Sequence, residues 1–215
     1  MFVFCAILSV SAFAGVDSKL VERAEKYLNS ITGLDGTFVQ TANGKNQSGD
    51  FAMLRPGRVR LDYDNMPIQL IADGQDLYFF DKSLDQITTV PLTSTPAGIL
   101  IRKNIDLTNA DINVVETNDY KNTFSLMLNL RGQEGLGHMT VVFDKSPVKL
   151  NSWSVVDATG ATTDVAFRGL KEKTKFEQLT AVDCSAHIDK KNTGTATLSY
   201  LSWAWAWDYF KKAYP

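Results

Sequence analysis

The sequence predicts a mainly β protein: an incomplete, half-open antiparallel β-barrel of about eleven strands with a small α-helical lid. Most of the chain consists of short runs in which apolar and polar residues alternate, the period of a strand with one buried face. Tight turns such as Asn43-Gly44 and Asp73-Gly74 separate these runs. Long helices do not alternate with the strands, so a parallel α/β sheet is not expected.

The segment from Gly49 to Tyr63 carries this pattern most clearly. It is typical of a strand, an Arg55-Pro56-Gly57 turn and a second strand. Its apolar residues at alternate positions are Phe51, Met53, Val59, Leu61 and Tyr63. Arg55 lies where this apolar face meets the turn, and arginine is rarely buried without partners. The pattern fits an ordinary β-core beside a surface arginine. It also fits a hollow apolar surface closed by a polar latch.

The other predicted strands are closely spaced and joined by short, turn-rich connections, as in an antiparallel meander or barrel. They cover residues 34–40, 68–72, 77–81, 87–91, 112–117, 123–130, 138–144, 149–157 and 162–170.

A first helix precedes the strands. Asp17 or Ser18 is a suitable N-cap for a helix that begins at Lys19, and Gly33 is a natural stop. The apolar residues at helical spacing are Leu20, Val21, Ala24, Tyr27, Leu28 and Ile31. This amphipathic helix of about three turns needs an apolar surface to cover.

A second, nearly all-apolar helix is predicted in the middle of the chain, from Thr95 as N-cap and Pro96 as the first helical residue to Ile101. A helix that is apolar on most sides is normally buried. A curved sheet that holds both helices in its mouth would be a half-open barrel, with an apolar cavity and a lid.

Charge balance argues against general binding to nucleic acid. The 215-residue chain has 22 Lys+Arg and 24 Asp+Glu, a formal net charge of −2. Phosphate-backbone binding needs concentrated positive charge, so we expect no nucleic-acid partner. The charge balance does not exclude a local basic patch.

The sequence carries no recognisable catalytic or metal-binding pattern. His138 and His187 are far apart in the sequence, and Cys184 with His187 lacks a third orienting group. H-E-x-x-H, G-x-S-x-G and Walker A motifs are absent from the sequence. We therefore expect a protein that is not an enzyme and has neither a cofactor nor a metal site.

The N-terminus resembles a cleavable signal peptide. Residues 1–14 are apolar or small, and Ala12-Phe13-Ala14 fits a cleavage site before Gly15. A basic residue after Met1 is missing, so the true start is open, and a buried N-terminal strand is the alternative. Cleavage would leave Cys184 as the sole cysteine, without a disulfide partner.

Several segments, in order and spacing, resemble the LolA family of periplasmic lipoprotein carriers. They are Phe38–Gln40, Arg55–Tyr63, Ile71–Gly74, Leu77–Asp81, Leu84–Ile87 and Thr95–Ile101. The resemblance covers roughly residues 16–170 and implies a monomeric periplasmic carrier of lipoprotein acyl chains. Its implied partners are a lipoprotein-releasing ABC transporter in the inner membrane and an acceptor lipoprotein in the outer membrane.

The resemblance also implies roles for particular residues. Arg55 would be a lid latch that donates to carbonyls of the covering helices, near Val21 and Ile99–Ile101; the alternative is an ion pair with Asp50 or Asp62. The candidates for the cavity lining, each of which could equally be ordinary core, are Phe38, Phe51, Met53, Val59, Leu61, Tyr63, Leu70, Phe79, Ile99 and Leu100.

The predicted organisation is a signal peptide at 1–14, a LolA-like domain at 15–178 and a divergent tail at 179–215, where the family pattern is lost. Two other functions stay open for the same fold. One is a binding module that senses lipids or mislocalised lipoproteins, and the other is a lipid or glycan hydrolase.

Overall fold

The computed structural model describes residues 15–108 and 111–173. The predicted signal peptide and the divergent tail lie outside these residues. The helices are α1 (Ser18–Ser30) and short 3-10 helices at Leu92–Ser94, Pro96–Ile101 and Glu134–Leu136. The strands are β1 (Gly33–Ala42), β2 (Lys45–Leu54), β3 (Arg58–Tyr63), β4 (Ile68–Asp73), β5 (Asp76–Asp81), β6 (Gln86–Pro91), β7 (Ile112–Asp119), β8 (Thr123–Leu130), β9 (Gly137–Lys145), β10 (Val148–Asp157) and β11 (Thr162–Glu172).

These strands form one antiparallel sheet of eleven strands, in the order β6-β5-β4-β3-β2-β1-β11-β10-β9-β8-β7. Two meanders are therefore joined side by side, with β1 paired to β11 and Phe38 opposite Phe167. Within the described residues, β6 and β7 are the free edges, and the barrel stays open. The predicted fold class is confirmed.

The sheet curls around the helices. The rings of Phe51 on β2 and Trp153 on β10 lie 6.0 Å apart although two strands separate β2 from β10. Helix α1 contacts β8 and β10, while the Pro96–Ile101 helix contacts β8 and β9. Both helices therefore lie on the concave face, where their apolar side chains and those of the sheet form one core.

Helix α1 begins and ends close to its predicted limits. Asp17 is the N-cap, and its Oδ1 accepts from the Lys19 N–H at 2.8 Å, so the helix begins at Ser18. It ends at Ser30 rather than near Gly33, because Gly33 already starts β1. The side chains that α1 buries are Leu20, Val21, Ala24, Tyr27 and Leu28.

The second predicted helix is present, but it is a 3-10 helix rather than an α-helix. Thr95 is its N-cap, with the hydroxyl accepting from Ala97 N–H at 3.3 Å, and Pro96 is its first residue. Six residues are too few for a stable α-helix, and 3-10 geometry is common in such short pieces. Gly98 lies so close to the preceding turn that a Cβ would meet the Leu92 carbonyl oxygen at 2.6 Å.

A buried hydrogen bond fixes one end of the concave face. The Tyr63 hydroxyl donates to Gln40 Oε1 at 2.8 Å, and burial raises the pKa of Tyr63 well above its ordinary value. Tyr63→Phe is expected to lower the free energy of unfolding by about 1–2 kcal/mol at pH 7, because Gln40 loses a buried donor. Urea unfolding measures this loss, with Tyr120→Phe, at an exposed tyrosine, as the matched control.

The same variant has a pH signature. The unfolded chain ionises tyrosine near pH 10, whereas the folded protein resists ionising Tyr63, so stability falls as the pH rises above about 10. Tyr63→Phe should remove this part of the alkaline loss. If the free energy of unfolding falls equally steeply with pH above about 10 in Tyr63→Phe and in the native chain, Tyr63 is not a buried phenol.

Candidate functional site

Arg55 directly follows β2 and is only 8% exposed. Its Nε donates to the Arg102 carbonyl at 3.0 Å, and Nη2 donates to the same oxygen at 2.7 Å and to the Lys103 carbonyl at 3.1 Å. Nη2 also lies 3.4 Å from Asn29 Oδ1. Within the described residues, Nη1 has no hydrogen-bond partner. A buried cation is thus held by carbonyl dipoles, and burial lowers its pKa.

The turn that carries Arg55 is fixed by its backbone. The Arg55 N–H donates to the Thr32 carbonyl at 2.8 Å, which extends the β1–β2 pairing by one residue. The Gly57 N–H donates to the Ile101 carbonyl at 2.7 Å. Gly57 has φ +82°, and a Cβ there would lie 2.5 Å from Gly74 Cα. Glycine therefore allows two turns to pack together while one of them holds the end of the 3-10 helix.

Helix α1 reaches the same place through polar side chains. Asn29 Nδ2 donates to the Ile105 carbonyl at 2.7 Å, and the Ile105 N–H donates to Asn29 Oδ1 at 3.0 Å. One turn earlier, Glu25 Oε2 accepts from the Leu107 N–H at 2.8 Å. We call Arg55, Asn29, Glu25 and residues 101–107 the clasp, because they join the β2–β3 turn, α1 and the chain after the 3-10 helix.

The clasp differs in detail from the predicted latch. Arg55 contacts the chain one and two residues beyond Ile101, and it reaches α1 through a side chain near the helix end rather than a carbonyl near Val21. The alternative ion pair is not among its contacts in the described part of the chain. Asp50 and Asp62 face each other across β2 and β3, on the side opposite Phe51 and Leu61.

The predicted cavity-lining residues share the concave side with the helices. Val59 is partly buried, and the others are at most 7% exposed, in one apolar core with α1 and the Pro96–Ile101 helix. Ile99 and Leu100 belong to the 3-10 helix itself. A ligand could reach these side chains only if the core opened.

Sequence reasoning missed the second half of the concave face. Large buried side chains from β8, β9 and β10 match those from β2–β5, and they include Phe124, Leu126, Met139, Val141, Phe143 and Trp153. Alternation in these strands was visible and could have found them. Asn29 and Glu25 carried no such signal, since polar residues on a helix are usually solvated.

A separate cavity of about 340 Å³ lies where α1, β1, β10 and β11 meet. Its lining combines apolar residues with charged ones: Tyr27, Leu34, Lys149, Leu170, Lys171 and Glu172. It shares none of its lining with the predicted cavity residues.

The described segments hold no group of three or more His, Cys, Asp and Glu side chains placed to bind a metal ion. None of the helices between residues 15 and 173 has the length and apolar character needed to cross a bilayer.

Fold and site together define an incomplete antiparallel barrel whose concave apolar face packs against helices, with a buried arginine bound to the chain that follows the 3-10 helix. A family model described as "Outer membrane lipoprotein carrier protein LolA" matches residues 29–179. The chain belongs to the LolA family. A second model, described as "Sak Single Strand Annealing Protein", matches residues 173–215.

Curated relatives and a solved structure carry related names. The outer-membrane lipoprotein carrier protein of Xanthomonas campestris pv. campestris (strain B100) is 31% identical over 183 residues, which cover 80% of this chain and 85% of that protein. That of Ralstonia nicotianae is 36% identical over 115 residues, 46% of this chain and about half (54%) of that relative. A LolA superfamily protein from Nitrosomonas europaea covers 79% of this chain and all of its own, at TM-score 0.41 and 10% identity.

Proposed function

We propose that this chain is a periplasmic carrier that shields lipoprotein acyl chains and passes lipoproteins from an inner-membrane ABC transporter to an outer-membrane acceptor. The observation that carries the proposal is the apolar concave face that packs against two helices, with Arg55 bound to the backbone carbonyls that follow the 3-10 helix. Membership of the LolA family and the names of the curated relatives support it.

The energetics explain why such a carrier is needed. Each buried CH₂ of a lipid anchor contributes about 0.8 kcal/mol of binding free energy. Moving a sixteen-carbon chain from an apolar site into water therefore costs roughly 12 kcal/mol. A lipoprotein with more than one such chain cannot cross an aqueous compartment unshielded. A carrier must cover a similar apolar area and still release its cargo to the acceptor.

In this proposal, the helices compete with cargo for the concave face. Loading displaces α1 and the Pro96–Ile101 helix, and Arg55 then loses its bonds to Arg102 and Lys103. The free energy of opening is subtracted from the affinity for acyl chains, so binding stays weak enough for release. Carbonyl acceptors suit an arginine that must release the lid, because its hydrogen bonds to them can break without separating a buried ion pair.

The two alternatives differ in what they would bind or do. A sensing module would hold lipid or lipoprotein without handing it on, and mass spectrometry of co-purified lipid would separate free lipid from protein-linked acyl chains. A hydrolase needs titratable groups at the cavity. Within the described residues, the buried carboxylates of Asp81 and Asp157 accept hydrogen bonds from their own turns, at Ser83 and Thr159.

Release from spheroplasts tests the carrier function directly. We expect the purified chain to release newly made lipoproteins into solution as a complex with one carrier each. A preparation without the chain supplies the background. Lipoproteins that stay in the spheroplasts at that background level would reject the carrier function.

A further inference from the structure

Two side chains on one face of α1 bind the backbone that follows the 3-10 helix. Glu25 and Asn29 are four residues apart, so they project from the same side of the helix. Asn29 bonds to both the N–H and the carbonyl of Ile105, at 3.0 and 2.7 Å, and Glu25 accepts from the Leu107 N–H at 2.8 Å. The amide and carboxylate thus bind this segment as a neighbouring strand would.

The segment they bind is anchored by its own burial. Ile105 and Leu107 are each 2% exposed and belong to the core, while Asp106 between them is exposed. Backbone groups of a buried segment need partners, and here α1 supplies them. The attachment to the sheet comes from the other side, through Arg55 to Arg102 and Lys103.

We propose that Glu25 and Asn29 are positioning residues that join α1 and residues 102–107 into one rigid body, so that the cover opens as a unit. Arg55 then holds two elements with one set of bonds, although only its 3.4 Å contact to Asn29 touches α1. The inference rests on the proposed function only in treating this body as a lid. According to this inference, Arg55 stabilises the position of α1 mainly through residues 102–107 and not through its own contact with Asn29.

Hydrogen exchange of the full chain without cargo tests this coupling. Arg55→Leu should speed exchange of the amides of α1 and of Ile105 and Leu107 by the same factor, about tenfold or more for the loss of charge-assisted bonds. In a Glu25→Ala/Asn29→Ala background, the Ile105 and Leu107 N–H groups lose their acceptors, so the amides of Gly57 and Arg102, which donate to Ile101 and Ile99, report on the segment instead. Arg55→Leu should still speed exchange at these two amides, but it should no longer change exchange in α1.

Two comparisons keep the result decisive. Glu22→Ala, an exposed residue on the same helix, should preserve the joint response, and the core amides of β9 report whether a variant remains folded. Asn29→Ala alone removes the direct contact of Arg55 with α1 but keeps the bond from the Leu107 N–H to Glu25, so the α1 response to Arg55→Leu should persist in that single background. An α1 response to Arg55→Leu that persists in the double background would overturn the proposal, whether or not the chain carries lipoproteins.

Discussion

Arg55→Leu is expected to leave the protein folded and to lower transfer of lipoprotein to an outer-membrane acceptor by about tenfold or more. Three bonds of 3.1 Å or less to backbone carbonyls would be lost. Hydrogen bonds to a charged group contribute about 1.5–3 kcal/mol each to stability, whereas leucine avoids the cost of burying a cation. We therefore expect a net shift of at least about 1.4 kcal/mol, or tenfold.

The sign of this effect follows from the competition between lid and cargo. Weaker closure raises the fraction of open carrier and therefore the apparent affinity for acyl chains. Loading should improve or stay unchanged, whereas release to the acceptor should slow. A simple loss of folding would instead lower both steps.

The measurement is transfer of lipoprotein from the purified carrier complex to the purified acceptor, with urea unfolding of the same samples. Arg58→Leu is the matched control. Arg58 lies three residues further along and is exposed on β3, and its substitution removes an equal charge. Handover by Arg55→Leu at the rate of Arg58→Leu would remove Arg55 from the release step.

Local patterns accounted for most of the fold. The strands follow from alternation and turns. The N-cap Thr95 is predictable, and that of α1 is narrowed to Asp17 or Ser18, because capping depends on neighbouring residues only. Pairing of β1 with β11 was not predictable in this way. It joins Phe38 to Phe167, and no local pattern specifies which distant strand completes a sheet.

The contacts of Arg55 could be predicted only in part, for a similar reason. Alternation places Arg55 at the edge of the apolar face, but its partners depend on where the 3-10 helix ends. The last carbonyls of a helix lack partners within it. Gly57 takes the carbonyl of Ile101, and the next two oxygens, of Arg102 and Lys103, are left for Arg55. Sequence spacing alone could not assign this order.

Gly49→Ala is expected to lower the free energy of unfolding strongly. Gly49 lies on β2 opposite both Phe38 on β1 and Tyr63 on β3, whose rings meet edge to face at a centroid distance of 5.2 Å. A Cβ at Gly49 would lie 1.9 Å from the Asp62 carbonyl oxygen and 3.0 Å from Phe38 Cε1. Glycine inside a strand often marks such a close backbone approach.

The clash involves backbone, so no rotamer change relieves it. Strand β3 must move away from β2, which disturbs the pairing beside Tyr63 and its bond to Gln40. We expect the free energy of unfolding to fall by about 3 kcal/mol, the upper range for overpacking. Gly135→Ala is the control, since nothing lies within 4 Å of its Cβ position. Matching urea midpoints for the two variants would mean that β2 and β3 do not approach this closely, and that the side chains near Phe38 are loosely packed.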